Sequence, residues 1–203
     1  MMKFPGSVMI LSAIFVARSS SIKLPNFSVI TAKKNLLTYV KPLARGTSCS
    51  KEEKQRVECL VDDLMIAIDA SNMNRDFATS PIVSGKWRLE YTTEAELLSL
   101  MGNPETVVTQ SINMNNRGFL QNYVGFAGGW CDGWEFTVDS SISGQGMRSS
   151  FEFSSAKLVI PSPPLKIPLP PVGKGWFDNL YVDDTIRVNR ESRGNTVVYS
   201  RIK

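Results

Sequence analysis

The 203-residue chain contains no histidine. That absence removes Ser–His–Asp and Cys–His catalytic arrangements and every histidine metal site. Cysteine is scarce: Cys49, Cys59 and Cys131 form no CxxC pair, so neither a disulfide framework nor a zinc site is indicated. Long apolar runs are missing too. Val8–Ala17 is unbroken apart from Ser12, yet ten residues fall well short of the roughly 20 that span a bilayer. Acid is absent from residues 1–51, which hold eight Lys or Arg. All 19 acidic residues therefore follow, against fifteen basic ones, and the formal charge of +4 belongs to the N-terminal segment. The remainder is mildly acidic, and a basic patch for nucleic acid has no support.

An acid-free segment rich in Ser, Thr, Lys and Arg reads as an organelle transit peptide. Val8–Ala17 also matches a signal-peptide core, with Ala17-Arg18-Ser19 as a small-x-small cleavage site. Residues 1–51 are thus expected to be a plastid address, either a plain transit peptide or a signal followed by a transit peptide. The rest, 52–203, has the size of one domain with one core.

From Glu52 to Ala70 the positions Val57, Leu60, Val61, Leu64, Met65 and Ile68 recur at steps of three and four, the period of one buried helix face. Acids on its polar side argue for packing rather than for a membrane surface. Beyond Pro81 the period becomes two. Trp87, Leu89 and Tyr91 alternate with charged residues, and a short helical piece, 94–101, follows. Strands are expected over 106–113, 119–124, 134–138, 147–153, 185–188 and 196–201. Asn115–Gly118, Ser143–Gly146 and Ser192–Asn195 supply the turns. The expectation is a mainly β protein, an antiparallel β-barrel with an N-terminal helix, since closure removes exposed edges.

Such a barrel can hold one apolar ligand. Trp87, Tyr91, Phe119, Phe126, Trp134, Phe136, Phe151 and Phe153 are the candidates for its interior, where they would either line a cavity or fill a core. Between 161 and 171 stand six of the eleven prolines, which favour an extended edge or connection over a central strand. Its apolar Leu165, Ile167 and Leu169 fit a cover over the barrel or a lip that touches lipid. Asp183-Asp184 are neighbours on a strand and point to opposite faces. The Gly173-Lys174-Gly175 stretch lacks the strand and helix of a phosphate loop. No signal favours an enzyme, a metal or a cofactor.

Ser84-Gly85-Lys86-Trp87-Arg88-Leu89-Glu90-Tyr91-Thr92-Thr93, then Gln110-Ser111-Ile112 and Asn122, then Gly173-Lys174-Gly175-Trp176-Phe177 with Leu180-Tyr181-Val182-Asp183-Asp184, and finally Arg187-Val188, Arg190 and Arg193-Gly194, closely resemble the plastid lipid-associated protein family, the plastid fibrillins. The resemblance covers about residues 55–202. It implies a lipocalin-like barrel, associated with thylakoids or plastoglobules, that binds or carries lipids, quinones or carotenoids. A structural coat on lipid globules, without an internal ligand, is the alternative. By the same resemblance Gly85-x-Trp87 packs against an arginine of the closing strands, Arg187 or Arg201. The segment 173–184 would be the closing seam, with Trp176 and Tyr181 as packing or cavity wall and aspartates such as Asp183 facing arginine or solvent.

Overall fold

Residues 28–115, 118–171 and 173–203 are described by a computed structural model. The signal-like run Val8–Ala17 lies outside them. Among the described residues, nine strands form one antiparallel sheet: β1 (Gly85–Thr92), β2 (Val107–Asn113), β3 (Phe119–Gly125), β4 (Glu135–Gln145), β5 (Arg148–Ile160), β6 (Leu165–Leu169), β7 (Lys174–Val182), β8 (Ile186–Glu191) and β9 (Thr196–Ile202). The pairing runs β1-β2-β3-β4-β5-β7-β8-β9 and returns from β9 to β1, so the sheet closes in a ring. The barrel-like, antiparallel expectation is met.

Edge strand β6 pairs only with the far half of β5, whose near half pairs with β7. Proline at 168 and 170 accounts for this, because a residue without an N–H is tolerated where no second neighbour needs one. The far half of β5 and β6 together extend beyond β7 at one end of the ring as a flap. β4 and β5 are longer than their expected spans because the serines of 140–150 continue the alternation. Ser140 and Ser149, for example, are buried on the inner face. The 173–184 segment supplies β7, a wall strand, and the closing pair is β1 with β9. Its glycines do permit close approach, since Gly173 and Gly175 lie directly against the rings of Phe153 and Phe151.

Three bulges change which side chains face inward, one of them at Ser154 of β5, where Asp139 pairs with Ser155 but Ser140 with Phe153. Leu89 pairs with Tyr199 but Tyr91 pairs with Val198, leaving Glu90 as the extra residue. In β7, Asn179 pairs with Asn189 but Tyr181 with Val188, leaving Leu180 extra. Each bulge shifts the two-residue period by one, and the residue beyond it moves to the other face. Tyr91 and Tyr181 consequently point out of the ring.

Helices cover them there. Helix α2 (Lys51–Ala70) begins with a capping box, Ser50 Oγ accepting from Glu53 N–H and the Glu53 carboxylate from Ser50 N–H. It buries Val57, Leu60, Val61, Leu64, Ala67 and Ile68, the expected face. A second helix, α1 (Val29–Val40), packs beside it and buries Ala32, Leu36 and Val40. Lys33 reaches Asp183 at 2.5 Å, Glu58 reaches Arg190 at 2.8 Å, and Thr196 Oγ1 donates to Glu58 at 2.6 Å. β8 and β9 are therefore buried on both faces, by helices outside and by the ring interior within.

The packed body thus includes residues 29–43, which lie ahead of the expected boundary of 51/52. The i, i+4, i+8 spacing of Ala32, Leu36 and Val40 is the helical signal, and the acid-free composition around it hid the packing role. Leu36 is fully buried, so Leu36→Ala is expected to cost about 2–5 kcal/mol in denaturant unfolding. A change below about 0.5 kcal/mol would mean that the segment is not part of the core.

Candidate functional site

Inward rows from the ring enclose a cavity of about 310 Å³. Val108 and Gln110 of β2, Leu120, Asn122 and Val124 of β3, Phe136 and Val138 of β4, Phe151 and Phe153 of β5, Phe177 of β7, Glu191 of β8 and Tyr199 of β9 form its wall. Helix α3 (Ala95–Leu100) follows β1 and lies across the open end, contributing Leu97 and Leu100. Aromatic rings and branched aliphatics make most of this surface, and few polar groups interrupt it. That is the composition of a site for an apolar ligand.

At the closed end stands Trp87, fully buried, its indole N–H donating to Val83 O at 3.0 Å. Arg201 lies 4.1 Å from its ring centroid and Arg187 5.1 Å, so both arginines, not one, contact it. The Arg201 guanidinium donates to the carbonyls of Ser84 and Ile82. Gly85 leaves room for this: its φ is +146° and a Cβ there would overlap the guanidinium. Arg187 is fully buried between the rings of Trp87, Phe177 and Tyr199 and donates to Gln110 Oε1. Gln110 in turn donates to Asn122 Oδ1 at 2.8 Å. Burial lowers Arg187 to about 10, which leaves it charged at neutral pH.

Charge of the other sign collects at the mouth. Glu94 and Glu191 both line it, and Arg193 donates to Glu94 at 2.8 Å and also binds Glu96. Burial, and after it the neighbouring Glu94 carboxylate, pushes Glu191 up from 4.5 to about 7. Asp183 is different. Burial raises its carboxyl, but hydrogen bonds from Lys33, Thr185 and Ile186 outweigh that and bring it down to about 2. It caps the β7–β8 turn and holds α1 to the ring.

Of the ten aromatic candidates, Phe136, Phe151 and Phe153 line the cavity. Trp87 forms the packed floor beneath it. Tyr91 and Tyr181 face outward after their bulges, Tyr181 packing edge-on against Phe77 and donating to Asp183 at 2.9 Å. Trp176 also faces outward, under the guanidinium of Arg148 at 3.6 Å, and Arg148 pairs with Asp178 at 2.8 Å. Asp178 and Asp183 thus serve separate cations. Phe119 is 43% exposed on the outer face of β3. Phe126 and Trp134 lie in the loop at the mouth end, where Trp134 stacks edge-on with Trp130 at 5.0 Å. The residues that sequence reasoning left out, such as Phe177, Leu120, Val138 and Tyr199, follow from strand parity once the register is known.

The PAP_fibrillin family model matches residues 30–200. The chain is similar to "Probable plastid-lipid-associated protein 11, chloroplastic" of Arabidopsis thaliana, with 33% identity over 178 residues, 84% of this chain and 79% of the relative. It is also similar to "Probable plastid-lipid-associated protein 5, chloroplastic" of the same plant, with 26% identity over 171 residues, 80% of this chain and 65% of that relative. No solved structure matches significantly.

Glu191 makes stability depend on pH. A carboxyl raised in the folded state favours folding below its unfolded value of 4.5, and this contribution is lost as pH rises through about 7. Glu191→Gln is therefore expected to be more stable than the parent at pH 8, by about 1–2 kcal/mol, and to lose that advantage at pH 4.5. Urea unfolding at both pH values measures it. An equal difference at the two pH values would show that the carboxyl is not strained.

Proposed function

Because this chain belongs to the PAP_fibrillin family, we propose that it is a plastid lipid-associated protein that binds or carries a small hydrophobic molecule inside its ring. The observation that carries this reading is the apolar cavity of about 310 Å³ under α3. That volume lies at the small end of ligand pockets, roughly 300–1,000 Å³, and it suits a single acyl chain or a quinone ring. A carotenoid or a long prenyl tail would protrude at the mouth. The similarity to two chloroplastic plastid-lipid-associated proteins supports a plastid location. Within the plastid, thylakoid or plastoglobule surfaces are the proposed sites, with the acid-free N-terminal segment as address.

Titration of the full chain with a fluorescent fatty acid or a quinone is expected to give one saturable site. Phe136→Trp and Phe153→Trp should abolish it while changing stability by less than 1 kcal/mol, since the added volume enters empty space. In a filled core these changes would overpack and cost roughly 1–3 kcal/mol. That cost, with no saturable site in the parent, would sink the carrier reading.

A second reading, a coat on lipid globules, has its own observation. Trp130 is 82% exposed, Leu165 50% and Leu169 36%. They belong to the mouth-end loop and to the flap, and Gly133 of that loop lies beside Pro161 at the flap's tip. Residues 153–177 hold Lys157, Lys166 and Lys174 and no acid. Exposed aromatic and aliphatic surface with lysines fits an anionic lipid interface. Trp130→Ala combined with Leu165→Ser should lower co-flotation with phosphatidylglycerol vesicles severalfold and leave the cavity site intact. Unchanged flotation would exclude the flap as the contact.

A further inference from the structure

Arg187 has no counter-charge. Among the described residues no carboxylate lies within ion-pair distance of it, and its Nε and one terminal nitrogen have no hydrogen-bond partner. Its single acceptor is neutral, Gln110 Oε1. The other guanidinium at this end, Arg201, is of the same sign and is met only by carbonyl oxygens. Buried cations are normally paired, because an isolated charge in a low dielectric is costly. Aromatic faces offset part of that cost. The amide oxygens of Asn179 and Asn189 nearby are also without partners, and bridging waters between them and Arg187 would satisfy hydrogen bonds. Water would not supply the missing negative charge.

The position of this charge relates it to the cavity. Gln110, Phe177 and Tyr199, which touch Arg187, are themselves cavity-lining residues. On β8 the inward row runs Arg187, Asn189, Glu191, from closed end to mouth. Four residues of strand set roughly 13 Å between its ends. Arg187 itself does not line the cavity but lies fully buried directly behind Gln110, Phe177 and Tyr199, so the closed end is cationic beneath that wall and the mouth is acidic.

Resting on the carrier reading above, we propose that the floor is a headgroup site: the carboxylate of a single-chain acidic amphiphile such as a fatty acid takes the place of Gln110 Oε1 on the Arg187 guanidinium, the Gln110 side chain turning aside to admit it. Its tail then runs toward the mouth among Phe136, Phe151, Phe153 and Phe177. A neutral quinone or a carotenoid leaves the cation unpaired and gains only the apolar contacts. The mouth carboxylates oppose an anion at the entrance, but Arg193 offsets Glu94, and the raised Glu191 carries a proton part of the time at neutral pH.

The test compares dodecanoate, dodecanol and methyl dodecanoate on the full chain by titration calorimetry at pH 7.5. The acid should bind at least about tenfold more tightly than either neutral analogue, the equivalent of one charge-assisted contact. Arg187→Met should bring the acid down to the level of dodecanol and leave dodecanol unchanged. Should that variant not fold, the comparison of the three ligands on the parent chain still decides. Equal affinities on the parent overturn the headgroup site and leave the carrier reading standing. A folded Arg187→Met that keeps its preference for the acid overturns it as well. Failure of all three to bind removes the carrier reading, and this site with it.

Discussion

The clasp between Trp87 and Arg201 holds the ring shut. A closed sheet needs its first and last strands joined, and here β1 and β9 meet with Trp87 opposite Arg201 in register. The guanidinium then reaches beyond the pair to the carbonyls of Ile82, Ser84 and Asp183. One side chain thereby fixes the start of β1, the short turns before it and the β7–β8 connection. Stacking on a desolvated indole strengthens such contacts beyond their value at a surface. The absence of a Cβ at position 85 is the steric condition for it, which gives the Gly85-Lys86-Trp87 triplet a mechanical meaning.

Much of this architecture was legible in the sequence, and where it was not, the reasons are specific. Alternation exposed β1, β2 and β3 because each has one wet or one clearly apolar face, and β9 was marked instead by its run of β-branched and aromatic residues between turn signals. β8 was harder to read, since Ile186, Arg187, Val188 and Asn189 are all buried and the alternation disappears. α1 was hidden by its company, a basic and acid-free stretch that resembles an address although three of its positions lie in the core. The serine-rich halves of β4 and β5 looked like loop because small hydroxyl side chains carry little hydrophobic signal.

The interior was the least legible part. Counting large aromatics found Phe136, Phe151 and Phe153 but could not sort them from Trp176 or Phe119, because identity does not reveal facing. Parity does, and parity depends on bulges at Glu90 and Leu180 that leave no strong local mark in composition. Tyr91 and Tyr181 were each displaced from the interior by one such residue. In the sequence Gln110 and Asn122 stand out only as parts of a resemblance. Their place on neighbouring inward rows makes them the polar link between Arg187 and the wall.

The flap and the mouth occupy the same end of the ring, since β4 begins, β5 ends and α3 crosses there. If the flap rests on lipid, the opening faces the lipid phase rather than bulk water. Loading then becomes a partition between two apolar media, with the aqueous concentration of the ligand largely removed from the rate law. Exchange would scale with the area of lipid surface occupied by the protein, and a ligand of very low solubility would exchange as readily as a soluble one.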